Sequence, residues 1–251
     1  MKILTVDIET APSLAYVWGL FKQNININQI KEAGYIMCWA AKWYDEDDVY
    51  FSSLGMSDKT GMIETLWELL DEADAVVSYN GERFDIPTIN REFLEEGLTP
   101  PSPYAQIDLY KTVAKQFKFQ SNKLDFVSQI LGIGAKVKHA GFDLWQRCME
   151  DDKDAWMEME EYNIHDVELT EELYDRLKPW IRSHPNMALY MDTYQPVCSH
   201  CGSVNLQSRG TAKTKTQEYR RYWCKDCGAW NRERYTCLDK DKRRNVLTPA
   251  R

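Results

Sequence analysis

The sequence predicts an α/β domain built on a mixed five-stranded sheet flanked by helices, followed by a small cysteine-bearing domain. Three observations carry that expectation. Short β-rich runs come first and then alternate with stretches of helical periodicity. From about Tyr194 the composition turns to Cys, Arg, Lys and aromatic residues. Charge divides along the same line: residues 198–251 hold 13 Lys/Arg against 5 Asp/Glu, and residues 1–197 hold the other 18 and 34. We place the boundary so that the domains are residues 1–192 and 193–251.

Residues 2–8 are apolar and β-rich, a first strand ending at Asp7 and Glu9. A polar stretch with Asn24, Asn26 and Asn28 reads as a loop, and residues 35–44 and 49–53 read as strands around a charged turn. Ile63, Leu66, Trp67 and Leu70 recur at helical spacing, and residues 75–79 form a short buried strand. Asp85, just ahead of Pro87, suits a cap opening a helix that runs to about Glu96. Beyond three prolines, residues 106–109 read as a fifth strand, with helices at 109–118 and 123–131. A charged helical stretch spans 151–177, and Pro179 ends it.

No apolar run approaches bilayer length, and Met1 leads into a strand instead of a signal peptide, so a cytoplasmic protein is expected. Seven cysteines in that setting read as metal ligands or buried thiols. Cys38, Cys148 and Cys237 stand alone and read as buried or incidental thiols.

The acidic residues carry the chemistry. Period-two geometry puts Asp7 and Glu9 on one face of their strand. Asp85 follows a strand end, where α/β sheets present active groups. Tyr162 and Asp166, four apart, share one helix face. Taken singly, these segments suit an ordinary turn, a cap and a solvated helix face. Converging, four carboxylates would repel each other unless cations sat between them. Hard oxygen donors select Mg2+ or Mn2+, and a pair of such ions suits phosphodiester cleavage.

In order, spacing and context, the three segments around Asp7/Glu9, Asp85 and Tyr162/Asp166 resemble the motifs of the DEDD superfamily of 3′–5′ exonucleases, in its DEDDy branch. The resemblance covers roughly residues 2–180 and implies a ribonuclease H-like fold. It further implies that Asp7 bridges two Mg2+ or Mn2+ ions, that Glu9 and Asp166 hold the ion that activates water, and that Asp85 acts on the second ion. Tyr162 then orients the attacking water, while Asn80 and Phe84 contact substrate, Phe84 against a terminal base. Val6 stands where many members carry phenylalanine. His165 points away from Asp166 on the helix and suits packing or solvent.

Cys198, Cys201, Cys224 and Cys227 form two Cys-x-x-Cys-Gly turns separated by 22 residues. This is the pattern of a zinc ribbon with one structural Zn2+. Between and after the turns, Arg209, Arg220, Arg221 and Arg232 interleave with Tyr219, Tyr222, Trp223 and Trp230, a combination that single-strand binders use. Residues from Lys240 onward read as a flexible basic tail.

The expected function is a metal-dependent 3′–5′ exonuclease acting on single-stranded or frayed 3′ ends of DNA. The preference for DNA comes from the branch resemblance alone. An exoribonuclease and a non-catalytic nucleic-acid-binding adaptor are the alternatives. A separate DNA polymerase or replication and repair protein is the expected partner.

Overall fold

In the computed structural model of the protein, residues 1–248 and 250 are described. Strands β1 (Ile3–Thr10), β2 (Leu14–Ala15), β3 (Ile30–Glu32), β4 (Ile36–Trp43) and β5 (Val49–Ser53) come first. Helix α1 (Lys59–Glu72), strand β6 (Ala75–Ser78), helix α2 (Asp85–Glu95) and strand β7 (Ala105–Asp108) follow. Helices α3 (Leu109–Gln116), α4 (Leu124–Ile130), α5 (Phe142–Met149) and α6 (Lys153–Leu177) complete the series.

The main sheet has five strands in the order β5-β4-β1-β6-β7. Its β5, β4 and β1 are antiparallel neighbours, and β6 and β7 run parallel to β1, so it is mixed as the sequence predicts. Alternation along β1 sorts its side chains. Leu4, Val6 and Ile8 pack into a core with Trp39, Met62, Leu66, Ile89 and Phe93 of β4, α1 and α2. Asp7 and Glu9 therefore face the opposite side. There Ala155, Met159 and Tyr162 of α6 pack with Met37 and Cys38 of β4 and with Leu144 and Cys148 of α5.

Three segments depart from the sequence expectation. The polar stretch after β1 is not featureless: β2 and β3 pair antiparallel, and Asn26 caps a short 3-10 turn while the Gln29 side chain takes the Asn26 N–H. Local side-chain-to-backbone bonds of this kind leave no hydrophobic period to read. Helix α5 is only eight residues long and buries just Leu144 and Cys148. The basic tail forms a short helix, α7 (Lys240–Asn245), whose N-cap Asp239 accepts the Lys242 N–H at 2.6 Å. Pro249 and Arg251, at the end of that tail, lie outside the described residues.

The chain divides into two compact units, Lys2–Asp175 and, with Met1, Arg176–Arg251. The second contains strands β8 (Leu206–Lys213), β9 (Glu218–Cys224) and β10 (Trp230–Arg232) in an antiparallel sheet ordered β10-β9-β8. Its small core is Cys198, Cys224 and Ala229, with Cys201, Cys227 and Leu206 against it. Among the described residues no helix is long and apolar enough to cross a membrane.

Candidate active site

Strand β1 outruns its parallel neighbour. Its pairing with β6 stops at Thr5, so Asp7 and Glu9 lie beyond the end of β6. The turn after β6 fills the vacated edge. Asn80 adopts φ 69° there, a conformation asparagine tolerates, and its N–H donates to Asp108 Oδ1 at 2.9 Å. At Gly81 a Cβ would fall 2.2 Å from Ser78 Oγ, so only glycine fits the turn. The N-cap of α2 is Phe84, without a side-chain cap bond, and Asp85 is the first helical residue instead of the cap. Freed from capping, the buried Asp85 carboxylate accepts the Ile8 N–H at 3.3 Å.

One oxygen each from Asp7, Glu9 and Asp166 lies within 4.8 Å of the others. Asp85 stands just outside that trio, close enough that its charge acts on Asp7. Buried Tyr162 sits one turn before Asp166 on α6. Asn80 lines a cavity of about 690 Å³ together with Asp7, Arg83, Tyr110, Lys123 and Lys136. Phe84 is half-exposed and does not line that cavity.

Three further residues belong to the site, and sequence reasoning did not find them. Lys136, on the loop between α4 and α5, pairs with Asp166 and donates to the Tyr162 hydroxyl at 3.2 Å. Its loop is held in place by Asp125, which accepts the Lys136 N–H at 2.9 Å, and by His165, whose Nε2 lies 2.8 Å from the Ala135 carbonyl. Asn163, fully buried, donates to Asp7 Oδ2 at 2.7 Å. Trp145 lies near Glu9 and favours its charged form. A lysine in a polar loop reads as solvated, and nothing in its spacing from Asp166 marks it.

Electrostatics follow from packing. Burial pushes the Asp7 carboxyl well above the usual range, and repulsion from Asp85, Glu9 and Asp166 adds to it. Burial raises Glu9 to about 8, against the pull of Lys136. Asp85 rises to about 6, mainly by burial, although the Ile8 N–H opposes this. Asp166 is also raised by burial, which outweighs Lys136. Burial disfavours the Lys136 charge, but the surrounding carboxylates, Asp166 foremost, win and hold it protonated.

The donor set fits a divalent cation. Hard carboxylate oxygens converge, their accumulated charge is unfavourable without a counterion, and buried Asp166 Oδ1 has no hydrogen-bond partner among the described residues.

The four thiols of Cys198, Cys201, Cys224 and Cys227 likewise lie within 4.8 Å of one another. Two sulfur pairs stand 3.6 and 3.7 Å apart, far beyond a disulfide and close to the ~3.8 Å edge of a tetrahedron of zinc–sulfur bonds. Gly202 and Gly228 curl past the second thiol of each turn at φ 74° and 82°. His200 turns aside, one ring nitrogen 3.1 Å from the Ile181 carbonyl.

A family model of the RNase_H superfamily (RNase_H_2) matches residues 5–178, more than half of the chain. The chain belongs to the RNase_H superfamily. Its ribonuclease H-like fold is that of a nuclease of that superfamily, whose nucleases use divalent metals, and its Asp7, Glu9 and Asp166 cluster could hold such an ion. A solved structure of the family B DNA polymerase from the hyperthermophilic archaeon Pyrobaculum calidifontis is similar, with a TM-score of 0.52 at 19% identity. The match covers 71% of this chain and 24% of the polymerase, so the likeness concerns fold and spans about a quarter of that protein. No curated protein matches the chain.

Proposed function

We propose that this RNase_H superfamily member is a metal-dependent 3′–5′ exonuclease of the DEDDy type, acting on single-stranded or frayed 3′ ends of DNA. The observation that carries the reading is the convergence of Asp7, Glu9 and Asp166, beside Asp85 and Tyr162, from segments far apart in the chain. Asp7, Glu9, Asp85 and Asp166 hold two Mg2+ or Mn2+ ions. When bound, such ions lower the pKa of water and offset the charge that builds on the phosphate.

The chain's own residues do the rest. Burial, followed by the charges of Glu9 and Asp166, raises the Tyr162 hydroxyl's pKa. It therefore stays protonated and can orient the attacking water. Lys136 ties Tyr162 to Asp166 and keeps the two in register. Asn163 aims Asp7 from behind. Asn163→Ala is expected to lower cleavage about 10–100-fold, the usual cost of losing a ligand's supporting bond, with a matching rise in the metal concentration for half-maximal rate.

The raised carboxyl pKa values also fix a pH dependence. Between about pH 4 and pH 8 Glu9 and Asp85 bind more protons in the folded, ion-free protein than in the unfolded chain, so their contribution to stability falls as pH rises. Metal binding releases those protons. Saturating Mg2+ is expected to raise the thermal midpoint of unit Lys2–Asp175 by ~5 °C more at pH 8 than at pH 5.5, read by calorimetry. An equal increment at both values would contradict the assignment.

The four thiols hold one structural Zn2+, since four protein ligands leave no open position. Nucleic-acid contact by this ribbon is supported by stacked pairs on its sheet. Arg209 lies over Trp223, Arg221 over Trp230 and Arg232 over Tyr219, at 5.5, 4.6 and 4.1 Å from the ring centres. A separate polymerase or repair protein is the proposed partner.

The test is digestion of 5′-labelled DNA and RNA oligomers of one sequence with Mg2+. A ladder shortening from the 3′ end of DNA supports the proposal, and preferential shortening of RNA makes the enzyme an exoribonuclease. Tight binding without cutting makes it an adaptor.

A further inference from the structure

We propose that a cavity beside β10, walled by Tyr219, Tyr222, Trp230, Arg232 and Arg234, binds one unpaired nucleotide of a single strand, base and phosphate together. This assignment rests on the nucleic-acid contact proposed above for the ribbon and gives that contact a place. The cavity measures about 700 Å³, inside the ~300–1,000 Å³ range of cavities that hold small ligands. All its lining residues fall between 186 and 234, within the unit Arg176–Arg251.

The order of the strands makes the cavity. β10 ends the sheet β10-β9-β8, so its outer edge has no strand beside it. Residues of the 186–199 segment form the facing wall. Asn231 joins the two walls: its Oδ1 accepts the Ser199 N–H and hydroxyl, both at 2.8 Å, and its amide donates to the Ala229 carbonyl at 3.3 Å. Alternation turns Trp230 and Arg232 to the opposite face from Asn231, where Trp223 and Arg221 of β9 stand directly across from them. Asn231 is spent on the joint, and the ring and guanidinium on either side of it are left to line the gap.

The lining divides by chemistry. Tyr219, Trp230, Pro196 and Val197 offer flat or apolar surface that suits a base of any kind. Two guanidiniums supply the phosphate side. Of the three arginines that lie on rings in this sheet, Arg221 spends its fork on the Arg209 carbonyl, with bonds of 3.1 and 3.0 Å. Arg209 donates to Gln207 at 3.0 Å. Arg232 makes one long bond of 3.4 Å, to the Glu233 carbonyl, and it alone of the three lines the cavity. Stacking at 4.1 Å from the Tyr219 ring centre holds its plane without using its N–H groups, so its donors are oriented and free for an anion. Arg234 is exposed and makes no ion pair or hydrogen bond among the described residues. The one carboxylate in the wall, Glu233, is engaged by the Tyr222 hydroxyl at 2.7 Å, and the two arginines outweigh it. An acidic peptide would use the cations and leave the rings idle, whereas a nucleotide uses both.

The experiment follows fluorescence anisotropy of 5′-labelled oligo(dT) with the full chain across a salt series, with Ca2+ replacing Mg2+ to hold cleavage back. The long strand has about 30 nucleotides, more than the ~4–16 that one single-strand-binding module covers, and the short one about 6. Arg234→Ala is expected to weaken long-strand binding about three- to tenfold and to lower the slope of log affinity against log salt by ~0.7, one phosphate contact. Arg234→Lys is expected to keep the wild-type slope. Trp230→Ala is expected to weaken binding about tenfold with the slope unchanged, and Trp230→Phe, which keeps a ring, to restore it. Wild-type affinity and slope in both alanine variants, with long strands still preferred over short ones, would overturn the cavity alone. A wild type that shows no preference for long strands would sink the ribbon's nucleic-acid contact as well. Displacement of the strand by thymidine 5′-monophosphate at equal nucleotide concentration would overturn the strand as occupant in favour of a free nucleotide. Displacement by polyglutamate at equal charge would overturn the nucleotide in favour of an acidic peptide.

Discussion

Asp7→Ala is expected to lower single-turnover cleavage by at least ~10³-fold, the several kcal/mol that loss of metal-held charge stabilisation implies. Asp7 feels Asp85, Glu9 and Asp166 together, so it is the carboxylate on which the whole cluster bears. The same substitution removes a half-buried carboxyl whose ionised form is unfavourable. Its neighbours then ionise more easily, and the metal-free variant at pH 8 is expected to melt above the wild type, although Asn163 loses its acceptor. A less active, more stable variant is the signature of a strained site. Unchanged cleavage would refute the role of Asp7, and a lower metal-free midpoint would refute the electrostatic account.

Cys224→Ser is expected to have an equally large effect on the other unit. Cys224 is fully buried, and with Ala229 and Cys198 it forms most of the small core there. So little apolar area cannot hold three short strands together, whereas a structural zinc contributes about 10–16 kcal/mol in zinc-finger peptides. The variant should contain no zinc by elemental analysis, and limited proteolysis should clip it within the β8–β10 region. Cutting of short oligomers by the remaining unit should persist while affinity for long strands falls. Retention of zinc and of protease resistance would show that the thiols are not its ligands.

What could be read from the sequence was what depends on local period. Asp7 and Glu9 are two apart on an obvious strand, and Tyr162 and Asp166 are four apart on an obvious helix, so each pair's shared face follows from geometry alone. The two Cys-x-x-Cys-Gly turns are legible for the same reason. Asp85 was legible in position but not in contact. Ahead of Pro87 it looks like a cap, and only the mismatch in length between β1 and β6 turns it toward Ile8 instead. Lys136, Asn163 and Trp145 were illegible because their relevance comes from tertiary approach. The loop carrying Lys136 reaches the site through bonds from Asp125 and His165 that no local pattern encodes. The β2–β3 hairpin and α5 escaped because each is too short to show a period.

Titration of the metal-free protein with Mn2+, counting bound ions by electron paramagnetic resonance, puts the carboxylate cage itself on trial. Two Mn2+ per chain should bind the wild type without displacing zinc, and Asp7→Ala should lose at least one of them. Identical Mn2+ binding by wild type and Asp7→Ala, or none by either, would contradict the assignment of Asp7, Glu9, Asp85 and Asp166 as the ligands.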